Sequence, residues 1–341
     1  NNLLTGKKYM EIIGKAVRIY ETGGPKVLKY EDVSFDRPKK GQVRLKHHAI
    51  GLNFIDINMR NGAYNLKAFS PDAQAPYILG MEGSGEIESI GEDVVDFKVG
   101  DRVTHCMNLG AYSEIMNIPA NRLIHLPSVI SFEVAAASTL QGLTAHYLVN
   151  ELWQVKKEHT VLIQSAAGGV GLLLCQWAKH IGANVIGVVS TEEKAFYVKK
   201  YGCDHAIIST KENFVKKIKE ITDGNGVNVI YDAVGKDTFL DGVACLAPRG
   251  RLVSYGVSSG PIEPFNINLL RPLSASVACG GLLTFTKDSS ERSKNASELF
   301  KLIAEGNLKV EINQRYRLNE VDKAHTELSE RMTTGSSIIL P

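Results

Sequence analysis

The feature that most constrains this chain is the run Ser165-Ala166-Ala167-Gly168-Gly169-Val170-Gly171. It follows the apolar stretch Val161-Leu162-Ile163 and leads into Leu172-Leu173-Leu174-Cys175-Gln176-Trp177-Ala178-Lys179. An apolar strand, a glycine turn and a helix in that order open a dinucleotide-binding βαβ unit. Gly168 lets the backbone approach a pyrophosphate, and Gly171 lets the helix pack close to the strand. The helix N-terminus offers N–H groups and a partial positive charge to the phosphates. Ala166 stands where the usual fingerprint has its first glycine. The turn alone is therefore weak evidence, and the competing reading is a glycine turn needed only for packing.

The surrounding pattern supports dinucleotide binding. Strands are expected at 160–164, 184–189, 205–208, 227–232 and 251–255, with helices at 170–181, 192–201, 213–222 and 238–245 between them. Strand–helix alternation with apolar strands predicts a parallel sheet covered on both faces. The first third reads differently. Val43 to Ile50 alternates apolar and polar residues as a half-buried strand does, and glycines punctuate 80–91. Ser131-Phe132-Glu133 before Val134-Ala135-Ala136-Ala137 is a capped helix start, and a second helix is expected over 144–151. Past residue 280 the order is helix 295–305, strand 310–316, helix 320–331 and strand 336–340. The fold class expected is α/β: a doubly wound parallel-sheet nucleotide-binding domain at 141–281, plus a discontinuous, mainly β, partly open barrel-like catalytic domain made from 1–140 and 282–341.

Composition narrows the function classes. With 39 basic and 37 acidic residues, the net charge of +2 implies neither a nucleic-acid nor a membrane partner. No apolar run approaches the roughly 20 residues that span a bilayer. The segment before the first strand reads as a short extension, not a signal peptide. Cys106, Cys175, Cys203, Cys245 and Cys279 are scattered, without a CxxC pair, and read as reduced thiols of a cytoplasmic protein.

The choice of dinucleotide turns on the end of the second strand. An NAD site has an acid about 20 residues beyond the glycine turn, bonded to the ribose hydroxyls. Here the strand ends in Val188-Val189-Ser190, with Lys194 following. Ser190 and Lys194 can donate to a 2′-phosphate, which points to NADPH. Glu192 and Glu193 share that turn and fit this reading only if they face away.

Several segments together resemble one family. They are Gly51-Leu52-Asn53-Phe54-Ile55-Asp56, Val99-Gly100-Asp101-Arg102-Val103, Leu140-Gln141-Gly142-Leu143-Thr144-Ala145, Ala166 to Gly171, and Tyr231-Asp232-Ala233-Val234-Gly235. In order and spacing they are similar to the zinc-free quinone oxidoreductases, the zeta-crystallin group of the medium-chain dehydrogenase/reductase superfamily. The resemblance runs from about Lys15 to Pro341. Zinc alcohol dehydrogenases of that superfamily place a Cys where Asn53 stands and a His where Met81 stands. Asn and Met supply neither thiolate nor imidazole, so the usual catalytic zinc shell is not expected. His47 and His48, adjacent in a strand, point to opposite faces and cannot chelate one ion together.

The resemblance implies electron transfer from NADPH to quinones without zinc. It also implies that Asn53 lies beside the nicotinamide and that Tyr64 lines the acceptor pocket. The competing readings are a turn-forming Asn and a packing Tyr. Ala167, Gly168, Gly169, Val170 and Gly171 would cradle the phosphates. Thr144, Val234, Tyr255, Gly256, Ser258 and Arg331 are carried over as further cofactor contacts, and Arg331 is open to the reading of a solvated helix residue. Two departures bear on the transfer: Asn58 and Ser209 each stand where bacterial relatives carry a tyrosine. The small residues of 279–283 suggest a more open pocket. A homodimer paired through the nucleotide-binding domain is implied as well. A reductase of α,β-unsaturated aldehydes or ketones is the nearest alternative. A cofactor-fold binding protein, for example one that binds RNA, is the alternative of another class.

Overall fold

A computed structural model describes residues 12–341 of the chain; the N-terminal extension discussed above lies outside the described residues. The chain forms two compact units. One comprises the residues up to Ser128 with Tyr316–Ser329 and Ile339–Pro341, and the other Val129–Arg315 with Glu330–Ile338.

The first unit is mainly β. Its strands are β1 (Ile12–Ile19), β2 (Lys29–Phe35), β3 (Gln42–Leu52), β4 (Tyr77–Ile78), β5 (Glu82–Ile90), β6 (Arg102–Cys106), β7 (Ile115–Pro119) and β8 (Ile124–His125), with the short helices α1 (Phe54–Arg60) and α2 (Leu66–Phe69) between β3 and β4. β1 pairs antiparallel with β2 and β4. β3 pairs antiparallel with β5 and β7, β5 with β6, and β6 with β8. Register shifts between β3 and β5 bend the pair near His47. Val43, Leu45, Ile87, Val103, Met116, Ile118 and Leu123 fill the core of this sheet.

The second unit is the doubly wound α/β domain. It runs α3 (Phe132–Tyr147), β9 (Thr160–Ile163), α4 (Gly169–Ile181), β10 (Asn184–Val189), α5 (Glu192–Lys200), β11 (His205–Ile208), α6 (Phe214–Ile221), β12 (Val227–Asp232), α7 (Phe239–Val243), β13 (Leu246–Ser254), β14 (Ser276–Cys279), α8 (Leu282–Phe285) and α9 (Ser289–Ala304). Six parallel strands stand in the order β11-β10-β9-β12-β13-β14. The chain leaves β9 in one direction for β10 and β11, then returns to its other side at β12. That reversal opens a crevice at the carboxyl ends of β9 and β12, where such sheets bind ligands. Val161, Leu162 and Ile163 of β9 are fully buried, each contributing on the order of 1.5–3 kcal/mol of burial. The last elements, β15 (Ile312–Arg317), α10 (Val321–Ser329) and β16 (Ser336–Leu340), are divided between the units. Among the described residues no helix is long and apolar enough to cross a membrane.

Two expectations change. The helix started by Ser131, whose side chain accepts from Val134 N, runs unbroken through Gly142 to Tyr147 and ends in a π-turn at Leu148–Leu152, so no second helix begins at 144. Gly142 is there for close packing: a Cβ would lie 2.4 Å from Leu299 Cδ2 of α9. Tyr231 donates to Leu148 O at 2.8 Å and so secures the π-turn. Residues 129–140 and 282–315 belong with the nucleotide-binding unit, because α3 packs on both α4 and α9.

Candidate active site

The glycine turn sits at the carboxyl end of β9. Gly168 is the N-cap of α4, with φ −77° and ψ 175° and no side-chain cap on the helix. The first N–H groups of α4 therefore depend on something else for satisfaction. A Cβ on Gly168 would meet only Ser165 O, at 3.4 Å, so its outer side is open. Gly169 and Gly171 are different. A Cβ on Gly169 would lie 2.3 Å from Gln141 Oε1, and one on Gly171 2.3 Å from Ser165 O and 2.9 Å from Ala166 Cα. Gly171 thus serves helix–turn packing, while Gly169 admits the Gln141 side chain, which Ser336 Oγ holds at 2.6 Å. Ala167 O accepts from Gly335 N at 2.8 Å, and Gly168 bridges to Gly335. The chain just past Arg331 is thereby fastened to the phosphate turn. The Nε2 of buried Gln164, at the start of the turn, has no hydrogen-bond partner.

At the end of β10 the charges sort themselves. Thr191 caps α5 by accepting from Lys194 N. Glu192 pairs with Lys211, and Glu193 is held by its own backbone and by Thr191. Neither neutralises Lys194, whose Nζ donates to Arg331 O at 2.8 Å. Burial first, and the Arg331 charge second, push the Lys194 ammonium below its usual pKa. Arg331 itself has φ +59°. Lys194 lies against the main chain of Arg331, near enough for the two charges to repel. Ser190 precedes this cap and its carbonyl accepts from Thr210 Oγ1 at 2.8 Å. Ser209, at the end of β11, turns its hydroxyl to Val189 O at 3.1 Å.

The turns after β12 and β13 are laced together. Asp232 Oδ1 accepts from Val234 N and Gly235 N at 2.7 and 3.1 Å, and its Oδ2 from Thr238 Oγ1 at 2.7 Å. Ser258 N donates to Ala233 O at 3.0 Å, and a Cβ on Gly256 would lie 2.9 Å from that oxygen. Val234, Tyr255, Gly256 and Ser258 are thus brought together at the strand ends. Thr144 is buried in α3 and its hydroxyl donates to Leu140 O at 2.8 Å, so its proton is already in use. The open pocket expected at 279–283 is open only in part. At Gly280 the space is filled by Tyr147 and Leu152, with Cβ approaches of 2.6 and 2.7 Å, whereas a Cβ on Gly281 would meet nothing within 4 Å.

In the mainly β unit, Asn53 opens α1. Its N–H donates to Asp56 Oδ2 at 2.9 Å, and its Nδ2 donates to the fully buried Glu82 at 2.8 Å. Asp56 Oδ2 also accepts from Tyr112 O–H at 2.9 Å, and Tyr112 meets His325 Nε2 at 2.9 Å. His325 Nδ1 lies 3.1 Å from Arg60 Nη1. Burial drives Asp56 up to about 7, against the donors that favour its ionised form. Tyr64 is half-buried in the turn after α1, 6.3 Å from the Phe69 ring, and its N–H donates to Asn58 O at 2.9 Å.

The residues do not fit a catalytic zinc. Asn53 presents an N–H donor to Glu82, not a lone pair to a metal, and Met81 is buried. His47 is buried and His48 exposed, on opposite faces as expected. Across the strands, however, His47 Nε2 lies 3.1 Å from His105 Nε2, a pair that sequence reading missed. His47 Nδ1 bonds Ser113 O at 2.8 Å and so carries a proton. Neutral His47 then accepts at Nε2, and His105 donates from its own Nε2. Burial keeps both neutral, His47 down to about 4 and His105 well below the usual value. Gly83 makes room, since a Cβ there would lie 2.7 Å from His47 Nε2. Among the described residues no group of three or more His, Cys, Asp or Glu could hold a metal ion.

Comparison with known proteins follows the same division. The alcohol dehydrogenase GroES-like domain family matches residues 39–128, and the zinc-binding dehydrogenase family residues 169–301. The chain is 43% identical to the quinone oxidoreductase of Pseudomonas aeruginosa over 96% of this chain and 100% of that protein. It is 40% identical to quinone oxidoreductase 1 of Escherichia coli, over 95% and 99%. The chain belongs to the quinone oxidoreductase family. Among solved structures, Escherichia coli quinone oxidoreductase complexed with NADPH superimposes with a TM-score of 0.91 at 39% identity, covering 96% of this chain and 100% of that one.

Proposed function

We propose that this chain reduces quinones with NADPH and uses no zinc. The observation that carries the reading is full-length likeness to quinone oxidoreductases, one of which is described in complex with NADPH. Gly168, with its open side, and the uncapped start of α4 would hold the pyrophosphate, alongside Ala167, Gly169, Val170 and Gly171. Lys194, Arg331 and Ser190 would hold the 2′-phosphate; a charge-assisted hydrogen bond contributes about 1.5–3 kcal/mol. Val234, Tyr255, Gly256 and Ser258 would line the crevice at the strand ends. Thr144 would reach the nicotinamide-side phosphate by turning its hydroxyl away from Leu140 O.

Bound NADPH supplies a hydride. Asn53 would orient the nicotinamide, and the Tyr64 hydroxyl would donate to a carbonyl oxygen of the acceptor. Quinones suit a site without a Lewis acid, because their reduction yields an aromatic diol and needs little carbonyl activation.

A second reading has its own support. The chain is 38% identical to a 2-haloacrylate reductase of a Burkholderia species, over 96% of this chain and 98% of that protein. An activated enone or enal is then the acceptor. Initial rates of NADPH oxidation with a panel of quinones and enones separate the two. A quinone kcat/KM at least tenfold higher supports the first; enones ahead of every quinone supports the second. No NADPH oxidation with any acceptor would favour a binding protein.

A homodimer through the outer strand β14 is part of the proposal. It is supported by the unpaired edge that strand presents to the end of the sheet and by exposed Ile267 and Leu269 in the segment before it. Sedimentation at the dimer mass would agree with it. A cytoplasmic setting is proposed on the five free thiols.

A further inference from the structure

Glu82 begins β5, is fully buried, and gives its Oε2 to Asn53 Nδ2 at 2.8 Å. A buried carboxylate is costly unless strongly hydrogen-bonded, and a glutamine of the same shape would avoid the charge. The position therefore needs an explanation beyond packing. We propose that Glu82 is a positioning residue that fixes the amide of Asn53 in one orientation for the reaction. The proposal rests on the reading that Asn53 takes part in that reaction.

The argument is one of donor and acceptor chemistry. The two ends of an asparagine amide are nearly identical in shape but opposite in role. Asn53 Nδ2 donates to Glu82 Oε2 at 2.8 Å, and an ionised Glu82, which only accepts, holds the amide with that end facing it. Glu82 thus excludes the flipped amide. The amide nitrogen carries two N–H bonds; one goes to Glu82, and the plane of the amide then sets the direction of the other and of Oδ1. A second clamp acts on the main chain of the same residue. Asn53 N donates to Asp56 Oδ2, which Tyr112 O–H also holds. Side chain and backbone of Asn53 are thereby fixed by two buried carboxyl groups from different elements, β5 and α1. A residue used only to cap a seven-residue helix would need the second of these and not the first.

The test is a double-mutant cycle with NADPH and a quinone. Glu82→Gln keeps an acceptor but no longer forbids the flipped amide. It should lower kcat roughly tenfold, the loss expected when a charge-assisted hydrogen bond becomes a neutral one, with KM for NADPH unchanged. Glu82→Met, apolar and of similar length, should lower kcat further, so that Gln is a partial rescue. In an Asn53→Ala background, Glu82→Gln should have no added effect on kcat. If Asn53→Ala lowers kcat but Glu82→Gln does not, or if Glu82→Gln costs as much in the Asn53→Ala background, the positioning role is overturned. If Asn53→Ala leaves kcat unchanged, the reading of Asn53 on which the proposal rests is itself overturned. Should Glu82→Gln not fold, Glu82→Met decides: a folded protein with undiminished kcat refutes the proposal.

Discussion

Two glycines three residues apart in the phosphate turn should respond oppositely to a single added methyl. Gly168 has φ −77° and ψ 175°, a backbone that alanine adopts freely, and its Cβ would meet only Ser165 O at ordinary contact distance. Gly168→Ala should therefore leave the fold intact, and loss of chain entropy in the unfolded state can add about 0.4–1 kcal/mol of stability. The same methyl would stand on the open side of the turn and keep a pyrophosphate from the α4 N–H groups. Losing one such charge-assisted bond, about 1.5–3 kcal/mol, weakens NADPH roughly tenfold to hundredfold. At Gly171 the methyl would lie 2.3 Å from Ser165 O and 2.9 Å from Ala166 Cα, both backbone. Overpacking of that severity costs about 3 kcal/mol or more, and each kcal/mol lowers Tm by about 2–4 °C in a domain of this size. Thermal melts without cofactor and fluorescence titration with NADPH measure the two effects separately. A folded Gly168→Ala protein that binds NADPH as well as the parent would refute the assignment of that open side. A Gly171→Ala protein of unchanged Tm would refute the packing argument.

Further outcomes follow from the charge layout. Lys194→Ala should raise KM for NADPH about tenfold and leave NADH nearly unchanged; equal losses with both cofactors would remove the 2′-phosphate role. Asp56, at about 7 in the fold through burial, stays protonated while the unfolded chain ionises near 4. Its contribution is complete below the unfolded value and is lost as pH rises to 7, by up to roughly 4 kcal/mol. His325, pushed down to about 3 by burial beside Arg60, runs the other way, losing stability as pH falls below its unfolded value. The stability of the parent relative to Asp56→Asn should therefore fall between pH 4 and 7, measured by urea denaturation; a pH-independent difference would contradict a protonated Asp56.

Much of this architecture was legible because it is written in local periodicity. β10, β11 and β12 fall at their expected bounds, and Gly168–Gly171 sit between strand and helix as the sequence requires. Errors arose where long-range packing overrides local signals. A separate helix was expected over 144–151, yet α3 runs on through Gly142, the point where Leu299, far along the chain, comes against it. The polar start of α9, beginning at Ser289 on an Asp288 cap, carries too little apolar periodicity to be seen. For the site, residue types carried the expectations: Ser190 and Lys194 where an NAD site has an acid, Asn53 and Met81 where zinc alcohol dehydrogenases carry ligands. What no spacing rule could supply were the pairs made across strands. Asn53 meets Glu82, His47 meets His105, and Gly335 meets Ala167 only once the sheets and the tail are in place. Which way Glu192 and Glu193 engage could not be read from the sequence either; Glu192 pairs with Lys211, and Glu193 bonds its own backbone and Thr191.

The most direct measurement of the central claim is NADPH oxidation by a quinone with protein that has been dialysed exhaustively against a strong zinc chelator and then assayed for metal. Asn53 and Met81 offer no zinc shell, and no described cluster of histidine, cysteine and carboxylate replaces one. The rate should match that of untreated protein, with well under one zinc per chain before and after, and should exceed the rate with a simple ketone by orders of magnitude. Stoichiometric zinc whose removal stops turnover and whose return restores it would contradict the account.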